Sequence, residues 1–187
     1  MVSEDNIKER DYQFARDAVV QSIVRNIRFN RSEIKKLEEI LEKMLWESGY
    51  HLESLPGVDI VTACSLIDNI GNINRFSSAD KLASFAGVAP KNNSSAGKGN
   101  DEQNKSQGKR ELYNTLFFLA NQQIYKSSKG EPRNPALRAY FGYKTTHGKT
   151  KVQGLLCIMR RLVSIIYSMM KNKSEYHMPE VRNWDVS

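Results

Sequence analysis

The sequence has little cysteine, little proline and no strand-like alternation. Two cysteines in 187 residues, Cys64 and Cys157, each set in an apolar stretch, exclude a disulfide framework and a cysteine-based zinc site. They read as small core fillers in a reducing, cytoplasmic compartment. Apolar runs stop well short of the roughly 20 residues that span a bilayer, so no membrane partner is expected. The N-terminus has no apolar core of a secretory signal. Acidic residues are scarce in the second half: between Asn104 and Lys173 there are 14 Lys or Arg and two acids, Glu111 and Glu131. The first half is nearly balanced, so most of the formal net charge of +7 lies in one part of the chain. A surface facing a polyanion follows from that asymmetry, and DNA or RNA is the expected partner class.

The pattern that is present is helical throughout. From Asp11 to Trp46, apolar residues recur at Val20, Ile23, Ile27, Ile34, Leu37, Leu41 and Met44, at spacings of three and four with a gap near Asn30. Charged residues flank them. The reading is an amphipathic helix, or a helix pair with Ser32 capping its second member, that packs on its own domain or dimerises as a coiled coil. Ser48-Gly49 ends it. Next comes the turn Leu55-Pro56-Gly57-Val58-Asp59, a helix from Ile60 to Ile70 stopped by Gly71, and a helix from Ala79 to Ala86 capped by Ser77 or Ser78. The residues from Lys91 to Gly108 are polar, rich in Ser, Asn, Gly and Lys, and read as an exposed loop. A helix carrying Leu112, Leu116, Leu119 and Ala120 on one face follows. Then come a basic linker from Lys126 to Arg138, an apolar helix from Val152 to Met170 bearing Arg160 and Arg161, and a frayed tail after Lys171. The expected fold class is all-α: a helical arm over 1–50, a helix-hairpin-helix domain with a long exposed loop over 51–173, and a flexible tail over 174–187.

Candidate binding residues follow from charge and backbone chemistry. The turn at Gly57 has the form of a helix-hairpin-helix element, in which a tight glycine turn and free helix-start amides meet a phosphate. Asp59 stands where such elements usually carry a second glycine, and it is also a good helix cap, so turn and DNA contact are both open readings. Ser94 and Ser95, followed by Gly97 and Lys98, form a serine in a glycine-rich, lysine-bearing loop that could approach a phosphodiester. Lys105, Lys109 and Arg110 follow as phosphate ligands. Lys144, His147, Lys149 and Lys151 read either as a phosphate-binding loop or as a solvated basic loop. Arg160 and Arg161 either face nucleic acid or solvate an apolar helix. Tyr140, Tyr143 and Tyr167 lack the convergent Arg and His that a tyrosine nucleophile needs. His51, His147 and His177 are too dispersed in sequence for a local metal site.

An ordered set of segments resembles the C-terminal domain of the insertion-sequence-110 type transposases from Leu55 to Lys171. These are Leu55-Pro56-Gly57-Val58, Phe76, Ala83-Ser84-Phe85-Ala86-Gly87-Val88-Ala89-Pro90, Ser94-Ser95-Ala96-Gly97, Lys105 with Gly108, Leu112, and Asn134-Pro135-Ala136-Leu137. The resemblance implies a mobile-element recombinase guided by an RNA transcribed from the element. It further implies a serine that attacks DNA and forms a phosphoserine link. By that resemblance Ser95, five residues after Pro90 as in the family's pattern, takes the role of the nucleophile. The sequence departs from the family pattern at Ala96, in the longer Lys105-Ser106-Gln107-Gly108, and at Tyr113. The family also implies a separate ribonuclease-H-like part with four acidic ligands for Mg2+. The roughly 50 residues before Leu55 read as helix, so that part is expected to be absent here, as in a truncated transposase, a split reading frame or an expressed domain. No cofactor is therefore expected in this chain, and recombinase activity is expected to need the acidic part. The N-terminal helix would be the connecting, dimer-forming coiled coil of a homo-oligomer.

Overall fold

A computed structural model describes residues 4–89, 109–127 and 130–181, with side chains from residue 12 onward. Among these residues the chain is all-α, as its periodicity predicts. Six helices are present: α1 (Glu4–Ser48), α2 (Ile60–Ile70), α3 (Ala79–Phe85), α4 (Arg110–Ile124), α5 (Pro135–Thr146) and α6 (Lys151–Asn172). Single 3₁₀ turns occupy Leu52–Ser54 and Ile73–Arg75. The only paired extended residues described are Lys126 and Pro132, an isolated antiparallel bridge. Two compact units divide the chain, Met1–Lys43 and Met44–Ser187.

In the first unit, the single-helix alternative holds, because α1 runs unbroken past Asn30. Ser32 is not a cap. Its hydroxyl donates to the Phe29 carbonyl at 2.8 Å, a bond made inside a continuing helix. The gap in the apolar pattern has another cause. Val20, Ile23, Ile27, Asn30, Ile34, Leu37, Leu41 and Met44 follow an unbroken alternation of three and four, with Asn30 as the one polar member of the row. Val20, Ile23, Ile27, Ile34 and Leu37 are exposed along this helix.

In the second unit, local signals set the helix ends. Asp59 caps α2 by accepting from the Thr62 amide at 2.8 Å, and Gly71 closes it at φ +65°. Ser78 caps α3. Thr150 and Gln153 form a reciprocal capping box at the start of α6, the most economical way to satisfy two orphan amides. Asn134 caps α5, with Pro135 as its first residue, so the expected basic linker ends earlier than Arg138.

The core gathers round α6. Its buried stripe, Ile158, Met159, Leu162, Val163, Ile166, Met169 and Met170, packs with Leu112, Leu116 and Leu119 of α4, Leu82 of α3 and Leu66 of α2. The 22-residue α6 contains an 18-residue stretch with a mean hydropathy of 1.3, so by length and composition alone it passes for a membrane span, as core helices also do. Arg160 and Arg161 interrupt its apolar run in the middle. The apolar stripe is the hub of the core, which gives that composition its use.

Candidate nucleic-acid interface

Two groups of the expected binding residues are described, and they are built differently. The first surrounds Gly57. Leu55 and Val58 are buried on either side of the turn, and Gly57 lies at φ +84°, a conformation that L side chains resist. Leu52–Ser54, on the N-terminal side, is a single 3₁₀ turn. The turn is held from behind by a chain of amides. The Gln123 side-chain amide donates to the Pro56 carbonyl. Asn134 Nδ2 donates to Gln123 Oε1 at 2.9 Å and to the Tyr176 hydroxyl at 3.1 Å. Asn134 Oδ1 accepts from the Leu137 amide, and the Tyr176 amide donates to Ser54 Oγ at 2.8 Å. Gln123 and Asn134 are fully buried, where each amide group depends on these bonds.

The front of the same turn carries a cation that sequence reasoning passed over. A Cβ built on Gly57 would stand 3.1 Å from Arg133 Nη1 and 3.2 Å from Arg133 Cδ. The exposed Arg133 side chain therefore lies against the glycine. Its sequence signal was only its place beside the Asn134 cap in a basic stretch. At the adjoining start of α2, hydrogen bonds from Thr62, side chain first and then backbone, hold the Asp59 carboxyl below its ordinary range. An anionic cap there competes with phosphate for the helix-start amides. Positive charge at this turn comes from Arg133.

The second group lies around the junction of α5 and α6 and the end of α3. Lys144 is in the last turn of α5, and its ammonium is 5.2 Å from the ring centres of both Tyr140 and Tyr143. Lys151 is the first residue of α6, so the expected basic loop is shorter than Lys144–Lys151 and is only the connection 147–150. The Lys149 amide donates to the Lys144 carbonyl at 3.1 Å. The Lys149 side chain lines a cavity of about 280 Å³ with Gly87, Val88, Ala89, Gln153, Leu156, Cys157 and Arg160. Close by in the chain, the Lys109 amide donates to the Phe85 carbonyl at 2.9 Å, tying the start of α4 to the end of α3. Arg110 is exposed at the first position of α4, followed by Glu111, whose charge suits that helix start. Ser94, Ser95, Lys98 and Lys105 lie outside the described residues.

The remaining candidates have other partners. Tyr167 donates its hydroxyl to the Phe76 carbonyl at 3.2 Å. His147 Nδ1 meets the Tyr143 carbonyl at 2.9 Å, and His51 lies 3.8 Å from Glu53. Cys64 and Cys157 are half-buried, and desolvation pushes the Cys64 thiol up. Arg160 pairs with Asp80 at 3.1 Å, and the Arg161 guanidinium stands 4.4 Å from the Tyr140 ring centre. Among the described residues no three His, Cys, Asp or Glu side chains gather as a metal site would require.

The second unit is thus an all-α domain with cations set round a glycine turn and round the joint of its last two helices. Residues 49–141 match the model of the Transposase IS116/IS110/IS902 family. The chain belongs to this family through that domain. It is 29% identical over 162 residues to an insertion element IS110 uncharacterized 43.6 kDa protein of Streptomyces coelicolor, covering 86% of this chain and 38% of that protein. It is 30% identical over 178 residues to the pilin gene-inverting protein of Moraxella lacunata, covering 91% and 53%. An insertion element IS900 uncharacterized 42 kDa protein of Mycobacterium paratuberculosis is 26% identical over 125 residues, covering 66% and 30%. The chain therefore spans about half the length, or less, of these relatives.

Proposed function

We propose that this chain is a DNA-binding part of a transposase or recombinase and supplies Ser95 as the nucleophile for strand transfer. The observation that carries the reading is the family domain over residues 49–141, which contains Ser95 and brackets it with basic residues. A relative named a pilin gene-inverting protein aligns over 91% of the chain, in keeping with chemistry on DNA. In the proposed step, Ser95 Oγ forms a bond to phosphorus as one phosphorus–oxygen bond to a sugar breaks. The serine proton passes to solvent, and the departing sugar oxygen takes one up as a hydroxyl. Lys98, Lys105, Lys109 and Arg110 bind phosphate on either side. Mg2+ belongs to an acidic domain outside these residues, and a guide RNA selects the DNA. A second copy of the chain pairs along α1, whose heptad seam is exposed.

The test supplies an acidic ribonuclease-H-like domain, guide RNA, Mg2+ and labelled DNA, and looks for a protein–DNA adduct that survives denaturation. The expected result is an adduct with Ser95 and none with Ser95→Ala. An adduct persisting in Ser95→Ala would overturn the nucleophile. Salt-sensitive DNA binding with no adduct from the unaltered chain would make it a non-catalytic nucleic-acid-binding module.

A further inference from the structure

Three cavities along α6 share walls. The first is the cavity of about 280 Å³ that holds Lys149 and Gln153 beside Val88 and Ala89. It shares Cys157 and Arg160 with a second, of about 320 Å³. The second shares Tyr140, Arg161 and Ser164 with a third, of about 420 Å³, which ends against Tyr176 and Glu180. Together they form one furrow down a single face of α6. Residues 153, 157, 160, 161, 164 and 168 follow at helical spacing, on the side away from the buried stripe. At 1.5 Å per residue the run from Gln153 to Ser168 is roughly 22 Å long. That length accommodates about six stacked nucleotides of one strand, at about 3.4 Å each.

The lining is largely apolar, with Val88, Ala89, Leu137 and Ile165 in it, and it carries two further kinds of group. Lys149, Arg160 and Arg161 place cationic groups along the furrow, and Tyr140 adds an aromatic ring with Arg161 at 4.4 Å and Lys144 at 5.2 Å. Asp80, paired with Arg160, and Glu180, at the far end, are the acids facing it. Cations that track a backbone, interleaved with aromatic surface, are what an unpaired strand needs. We infer that the furrow along α6 is a track for a single strand of DNA, entered beside Val88 and Ala89.

This inference rests on the proposal that the chain binds DNA, and the experiment separates the two. Fluorescence anisotropy compares a labelled 20-nucleotide single strand, its duplex and an RNA of the same sequence. The proteins are the full chain, Lys149→Ala, Arg161→Ala and Ser164→Arg, each checked for helical content. The expected result is at least a fivefold loss of single-strand DNA affinity in both alanine variants, with duplex affinity changed less than twofold. Lys149→Ala should also lower the log–log salt slope for the single strand by about 0.7. Ser164→Arg adds a cation at an exposed position of the furrow and should tighten single-strand binding, a gain that misfolding does not produce, and a loss in the folded variant counts against the track. No binding to any of the three probes overturns the DNA reading itself. DNA binding that ignores all three substitutions overturns the track alone. Losses confined to the RNA probe overturn the choice of DNA.

Discussion

At the scale of single residues, the buried amides separate one that binds the fold together from one that does not. Asn134 serves Gln123, Tyr176 and the first turn of α5 at once. Among the described residues, Asn69 Oδ1 is buried with no partner, and its Nδ2 bonds back to Ser65 alone. Removing Asn134 orphans buried groups, each costing about 1–3 kcal/mol, and loses a helix cap as well. Removing Asn69 also removes an unsatisfied oxygen. We expect Asn134→Ala to lower stability by at least about 2 kcal/mol in urea unfolding, and Asn69→Ala by clearly less. Equal losses would mean that the amide chain behind Gly57 does not act as a unit. None of this was legible in the sequence. Gln123 and Pro56 are 67 residues apart, and no local periodicity records such a pair. The Asp59, Ser78 and Gly71 signals were legible because a cap or a left-handed stop is decided within four residues.

At the scale of elements, the contact of α5 with α6 depends on an absent side chain. A Cβ at Gly154 would meet Phe141 Cε2 at 2.8 Å and Cδ2 at 3.1 Å, and Thr145 Cγ2 at 3.2 Å. Alanine gains about 1 kcal/mol in helix propensity over glycine. Forcing the Phe141 ring aside costs about 1–3 kcal/mol. The second effect should prevail, so Gly154→Ala is expected to destabilise by up to about 2 kcal/mol, read by thermal or urea unfolding. A stabilised variant would show that the two helices part easily at this end. The sequence located α6 well, since its buried stripe has strong period. It merged the start of α5 into a basic linker, because the charges of Lys126–Arg138 obscured the Asn134-Pro135 helix start. For α1 the sequence left a single helix and a helix pair both open, and the single helix is the one that forms. A single Asn30 in the seam looked like a break, although a polar residue at such a position is compatible with an unbroken helix.

At the scale of the whole molecule, α1 presents a row of apolar residues that its own unit leaves uncovered. Ile34 is 53% exposed and Leu37 59%. Burying each such side chain is worth about 1.5–3 kcal/mol, enough over several heptads to drive pairing of two copies. The full chain should sediment as a dimer or higher species at micromolar concentration, and Leu37→Lys should shift it toward monomer without loss of the second unit's unfolding transition. A chain that is monomeric before the substitution would rule out pairing along this seam. The candidate chemistry was legible only as far as motif order allowed. Charge and spacing pointed to a polyanion, and Lys149 does line a cavity beside Val88 and Ala89. Arg133 against Gly57, and the alignment of three cavities along α6, depend on which faces meet after folding.

The bond between Lys109 and Phe85 has a further consequence. It fixes where the chain re-enters the domain after residues 90–108, independently of what lies between. That return point is set by the two described helices themselves, so it does not depend on the number of residues that separate Phe85 from Lys109. In a graft that changes the number of residues between Phe85 and Lys109, α3 and α4 should keep their contact, and their unfolding should still occur in one transition.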